Sequence, residues 1–239
     1  MKSNSIITGG FASFVTLTIL VFHPILSSAS GLVYQFNTPF PTDPSPSGPT
    51  PWLTADFENI NNGVSLTLSA AGLTGSEFAS EVYFNLAANL NPASLTFVKT
   101  ASTGAFSIPT IDQASQNNYK ADGDGKYDFR FNFGTANGTT FTGGDSITYL
   151  IGGISGLDAS NFGFLSAPAG GSGPFYAAAH IQSLANGDST WIEPGGGPIT
   201  TPVPEPAPLA LFFFSFFLFI VIKRFAGKFL DSSSASIKP

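Results

Sequence analysis

Along the middle of this chain, apolar and polar residues alternate in short bursts. In VSLTLSA, Val64, Leu66 and Leu68 fall on one side, and Ser65, Thr67 and Ser69 on the other. Successive strand side chains point to opposite faces, so each burst predicts a β-strand with one buried face. SLTFVKT turns Leu95 and Phe97 inward by the same rule. The clearest case is KYDFRFNFG, where Tyr127, Phe129, Phe131 and Phe133 alternate with Asp128, Arg130 and Asn132. DSITYLIGG, PFYAAAHIQSL and STWIE repeat the pattern. The chain between the two ends carries no long segment with a helical period. Its one helical signal there is GLDASNF, where Asp158 is placed to cap a single turn. About eight or nine short strands separated by Gly, Pro and Asp predict an all-β body: an antiparallel β-sandwich, jelly-roll or immunoglobulin-like. A barrel is the alternative.

The punctuation between strands is informative. NTPFPTDPSPSGPTP, residues 37–51, holds too much proline for a central strand and reads as an exposed loop. PGGGPITTP, residues 194–202, reads as a flexible spacer. No internal repeat is present, so a solenoid or propeller is not expected.

Both ends leave this pattern. Near the N-terminus Lys2 precedes an apolar stretch over residues 11–26 and then SSAS. A basic start, an apolar run and small residues form a secretory signal, here over residues 1–29. An uncleaved N-terminal anchor is the alternative. Near the C-terminus, residues 207–222 are 16 residues without a charge. As a helix at about 1.5 Å per residue they span roughly 24 Å, a little short of a ~30 Å hydrocarbon core. Lys223 and Arg224 can snorkel to the headgroups. Together with Lys228 and Lys238 they place the C-terminus in the cytoplasm. The two ends agree on one topology, with residues 30–193 as an exported body.

The residues before that span carry a resemblance. Val203, Pro204, Glu205 and Pro206, an apolar helix, and then Lys223 and Arg224 resemble the PEP-CTERM sorting signal. Pro204 and Pro206 hold φ and disfavour helix, so the tripeptide is expected to stay extended outside the bilayer. The resemblance implies recognition of residues 203–239 by an exosortase, cleavage near the tripeptide, and delivery to the cell surface or exopolysaccharide matrix. It covers only about 25 residues, and a tail of 15 follows Arg224. SAAGLTGSEFASEVYFNL, YKADGDGKYDFRFNF and FLSAPAGGSGPFYAAAHIQ resemble exported bacterial proteins bearing this signal. That likeness implies export and a β-rich body, and no reaction.

Charge narrows the partners. Between residues 31 and 206 four basic residues stand against fourteen acidic ones, a net of −10. Nucleic-acid binding needs Lys and Arg to neutralise phosphates, so nucleic acid is excluded as a partner. The chain has no cysteine, which excludes a disulfide framework, a thiol nucleophile and a thiolate zinc site.

Candidate chemistry is sparse. DGDGKYD places Asp122, Asp124 and Asp128 within seven residues. Clustered carboxylates on a Gly-rich loop could hold Ca²⁺, which takes six to eight oxygens. The reading expected here is an Asp-Gly turn leading into the phenylalanine strand, with Ca²⁺ on these three carboxylates as the alternative. His180 is the one histidine outside the signal segment, and no G-x-S-x-G elbow accompanies it. It is expected on one face with Tyr176, Ala178 and Gln182. Glu58, Glu77, Glu81 and Glu193 are available for glycoside chemistry, but spacing alone does not pair them. Trp52, Trp191 and Tyr176 are expected as core or rim, with stacking on sugars as the alternative. The expectation is a non-enzymatic exported protein of structural or adhesive role, with a carbohydrate-binding or carbohydrate-cleaving module as the alternative. Its partners would be an exosortase, the membrane through residues 207–222, and exopolysaccharide.

Overall fold

A computed structural model describes residues 30–202. The expected signal segment, the sorting-motif residues Val203, Pro204, Glu205, Pro206, Lys223 and Arg224, and the helix over 207–222 lie outside the described residues. Within them the chain is almost wholly β. Fourteen strands form: β1 (Ser30–Pro39), β2 (Leu53–Ile60), β3 (Gly63–Ser69), β4 (Phe78–Phe84), β5 (Thr96–Thr103), β6 (Thr110–Gln113), β7 (Tyr119–Ala121), β8 (Gly125–Tyr127), β9 (Phe129–Asn132), β10 (Phe141–Thr142), β11 (Ser146–Gly152), β12 (Ala177–Gln182), β13 (Thr190–Pro194) and β14 (Ile199–Pro202). Two short 3₁₀ turns, Pro92–Ser94 and Ala159–Phe162, are the only helical elements among them.

Twelve strands join one antiparallel sheet in the order β5-β11-β3-β2-β1-β13-β12-β4-β9-β6, with β10 on β4 and β14 on β1. β7 and β8 form a separate hairpin. The sheet curls on itself, so its two halves face each other across one core. Phe57 of β2 meets Phe84 of β4 edge-on at 5.3 Å. Phe97 of β5 meets Phe131 of β9 at 5.7 Å, and Phe131 lies 5.4 Å from Tyr149 of β11. Tyr34, Phe57, Phe84, Phe129 and Phe131 are fully enclosed. Edge-to-face ring pairs satisfy the aromatic quadrupole and add about 0.5–1.5 kcal/mol each beyond area burial. Tyr34 keeps its polar end satisfied by donating to the Phe162 carbonyl at 2.7 Å.

The alternating bursts land as strands. Val64, Leu66 and Leu68 are buried, and β3 pairs with β2 and β11. Asp158 caps the Ala159–Phe162 turn in a full capping box. KYDFRFNFG differs from its pattern. It breaks at Asp128 into β8 and β9, which belong to different sheets. Phe129, Phe131 and Phe133 enter the main core. Tyr127 instead packs on the outer face with Phe40, Tyr83, Ala121 and Ala178. The break follows from Asp128, whose carboxylate turns inward to hold two backbone amides.

The tail end of the spacer is also ordered differently from its expectation. β1 pairs β2 on one side. On the other it pairs β13 through Phe36–Pro39 and β14 through Ser30–Val33. Residues 199–202 therefore fill the edge of β1 that β13 leaves open, and Ser30 stands opposite Pro202.

Candidate functional site

Chemistry-bearing side chains converge on the outer face of β6, β9, β4, β12 and β13. Period-two alternation sends Phe129 and Phe131 inward and leaves Arg130 and Asn132 outward on β9. Antiparallel pairing then sets Arg130 opposite Asp112 of β6 and Tyr83 of β4. Arg130 is the centre of this network. Its Nη1 donates to Glu81 Oε1 at 2.9 Å and to Tyr83 Oη at 3.1 Å. Its Nε donates to Asp112 Oδ2 at 3.0 Å, while Nη2 lies 2.9 Å from the same oxygen. Asn132 also donates to Asp112 Oδ2, and Tyr83 Oη donates to Glu81 Oε2 at 3.0 Å. The guanidinium lies over the rings of Tyr83 and Tyr119. Its donors are thus met by protein acceptors. Burial and the proximity of Glu81 push the Tyr83 hydroxyl to about 12, although the hydrogen bond from Arg130 opposes them.

Farther along the same face lies His180. Its Nδ1 sits 3.1 Å from Ser80 Oγ, and Gln182 Nε2 donates to that oxygen at 3.0 Å. Burial lowers the His180 pKa, while Glu81, Asp122 and Asp43 act to raise it. The pair is not arranged for acyl transfer, because Ser80 lies mid-strand and only 3% exposed. Ala178, His180 and Gln182 share this face as expected. Tyr176 departs from it and packs against the main core, 6.5 Å from Tyr34.

The candidate aromatic residues are engaged within the body, as core or rim. The His180 ring stacks on Trp191 at 4.6 Å, and Phe40 and Tyr83 pack against the same indole. Trp52 is buried, and its Nε1 donates to Gly48 O at 2.8 Å. The residue 37–51 loop thereby acts as a strap. Phe40 N donates to Trp191 O, and Asp43 accepts the Trp191 amide at 2.9 Å.

The three aspartates of DGDGKYD are spread over separate structural tasks. Asp122 and Gly123 both take positive φ, 46° and 83°, and Asp124 N donates to Ala121 O. This is the hairpin turn that Asp-Gly favours. Asp124 Oδ1 accepts the Ser172 amide at 2.7 Å. The segment around it passes so close that a side chain at Gly171 or Gly173 would collide with Asp124. Asp128 is 4% exposed, and its two oxygens accept the amides of Leu86 and Asn117, each at 2.7 Å. Among the described residues no group of three His, Cys, Asp or Glu side chains is placed to hold a metal ion.

The glutamates are dispersed too. Glu77 is 2% exposed and accepts the amides of Ser47 and Thr74. Glu81 belongs to the Arg130 network. Glu193 is half-buried on β13, and burial pushes its carboxyl up to about 7. Sequence reasoning missed the Arg130 network. The available signal was Arg130 itself, the one arginine between residues 31 and 206, at an outward position of the strongest strand. No protein-family model, curated protein or solved structure matches this chain.

Proposed function

We propose that this is a non-enzymatic exported protein. Its β body plays a structural or adhesive role at the cell surface or in an exopolysaccharide matrix. Delivery follows from the sequence of the two ends, with a signal over residues 1–29 and a PEP-CTERM-like tail over 203–239 that an exosortase would process. We read the curled sheet as a β-sandwich. β1 pairs β2 on one side and β13 and β14 on the other, so the sheet runs on through it, which favours a jelly-roll-like arrangement over an immunoglobulin-like pair of separate sheets.

One observation carries the non-enzymatic reading. The two most buried acidic residues described hold the body's own backbone: Asp128 accepts two amides and Glu77 two more. A catalytic acid or base instead needs access to a substrate proton.

Two measurements on protein recovered from producing cells test this. An intact mass ending near Pro206 supports processing; a mass that still includes residues 207–239 refutes it. Incubation with a panel of glycans is expected to release no reducing ends. Reproducible turnover would overturn the non-enzymatic role.

A further inference from the structure

The two ends of the large sheet do not meet. Among the described residues β5 pairs only with β11, and β6 only with β9. Between them lies a cleft of ≈ 590 Å³. Phe97, Ile111 and Tyr149 form its deep part, while Lys99 and Ile108 stand at its rim. At one end Gln113 Nε2 donates to Leu95 O at 2.7 Å. A side chain spans the gap there, so the edges stand farther apart than the ~4.8 Å of paired strands.

Three features of this cleft are left unsatisfied by the fold. Each bounding strand presents an unpaired edge of backbone N–H and C=O groups. Tyr149 is only 3% exposed, yet its hydroxyl has no hydrogen-bond partner; Gln113 Oε1 is also buried without one. A buried polar atom left unpaired is costly, so such atoms call for a partner. Lys99, two residues from Phe97 on the same strand face, makes no salt bridge among the described residues and donates only to Ser102 Oγ.

We propose that this cleft accepts an extended peptide segment of a partner protein, apolar on its inward face and acidic where it meets Lys99. An added strand would pair its backbone with the free edges, as in recognition by strand addition. Its apolar side chains would cover Phe97 and Ile111, and a polar group at depth would meet Tyr149 and Gln113. Lys99 is the one charged residue lining the cleft. That choice of charge disfavours the chain's own outlying segments, since residues 203–239 carry four basic and two acidic residues. A second copy is disfavoured by the net −10 on each body.

The test uses the full-length chain in detergent micelles and a fluorescein-labelled nonapeptide of alternating Val and Thr, with Val at both ends and Asp in place of its central Val. Anisotropy is expected to show saturable binding, at least tenfold weaker when the central residue is Lys. Lys99→Glu should reverse that order, and circular dichroism should show its fold unchanged. Tyr149→Phe should weaken binding several-fold while raising the melting temperature, because it deletes the orphaned hydroxyl; a spectator hydroxyl would change the melting temperature alone. Absent saturable binding, equal affinity for both probes, or indifference to Lys99→Glu would overturn the proposal. So would a dimer, seen by sedimentation of the chain alone, that Lys99→Glu dissolves.

Discussion

Asp128 Oδ2 accepts the amide N–H of Leu86 at 2.7 Å, joining residues 42 apart in the chain. Its other oxygen takes the amide of Asn117 at the same distance. One side chain thus ties the exit of β4 to the segments before β7 and at β9. Burial raises the Asp128 pKa, and the two amide hydrogen bonds lower it in part. Asp128→Asn should be destabilising by about 1–3 kcal/mol, because an amide oxygen serves one N–H and its NH₂ faces the other. Chemical denaturation checks this. With these oxygens occupied, the melting temperature should not move when EDTA is added. A fall in EDTA would show that Asp122, Asp124 and Asp128 hold Ca²⁺ after all.

Arg130 serves three residues on two neighbouring strands. Arg130→Met keeps most of the apolar stem but leaves Glu81 and Asp112, on the strands flanking β9, without their cation. We expect a loss of about 1–3 kcal/mol. A Glu81→Gln, Arg130→Met double-mutant cycle should show coupling, since the two side chains share a hydrogen bond. Additive effects would mean that the pair is only a solvated surface contact.

Glu193 and His180 pull the pH profile in opposite directions. The carboxyl of Glu193 is raised from 4.5 to about 7 by burial. The folded state then binds more protons than the unfolded state between those values, so this contribution to stability falls as pH rises from about 4.5 to about 7. The His180 pKa is lowered from 6.5 by burial, so its contribution is lost as pH falls below 6.5. Glu193→Gln should therefore flatten the decline toward neutral pH and leave the acid-side loss from His180 in place. Melting temperatures between pH 4.5 and 8 read both. An unchanged slope in Glu193→Gln would show that its carboxyl titrates normally.

Val33 and Ile199 are opposed in the β1–β14 ladder, and Ile199 is half-exposed. Directly opposed strand residues lie within the Cα separation that a disulfide requires. The Val33→Cys, Ile199→Cys pair should cross-link under mild oxidation, detectable by its mobility on a non-reducing gel. A free spacer would leave the two thiols reactive toward alkylation. Cross-linking would mean that the two ends of the described body, at Ser30 and Pro202, run side by side as paired strands.

Much of the fold was legible because strand alternation is local. The core faces of VSLTLSA, FRFNF and SITYLIG follow from the two-residue period alone, as do the Asp-Gly turn at Asp122 and the Asp158 cap. Three features were not legible, each for one reason. Tyr127 reads as continuous with Phe129 and Phe131, but Asp128 needs buried amides that lie 11 and 42 residues away. Residues 199–202 read as spacer because Ile-Thr-Thr-Pro is a strand only when an open edge of β1 receives it. Arg130 reads as a solvated position because its acceptors come from two other strands.

The sequence by itself determined the alternation that buries one face of strands such as β3, β9 and β11, and the acidic balance of residues 31–206. These depend on neighbours within a few positions and on composition. The tertiary structure decided how the sheet curls, which carboxylates become backbone anchors, and that β5 and β6 end as facing, unpaired edges. Those outcomes depend on pairing between strands far apart in the chain, where one register choice sets every contact on the face.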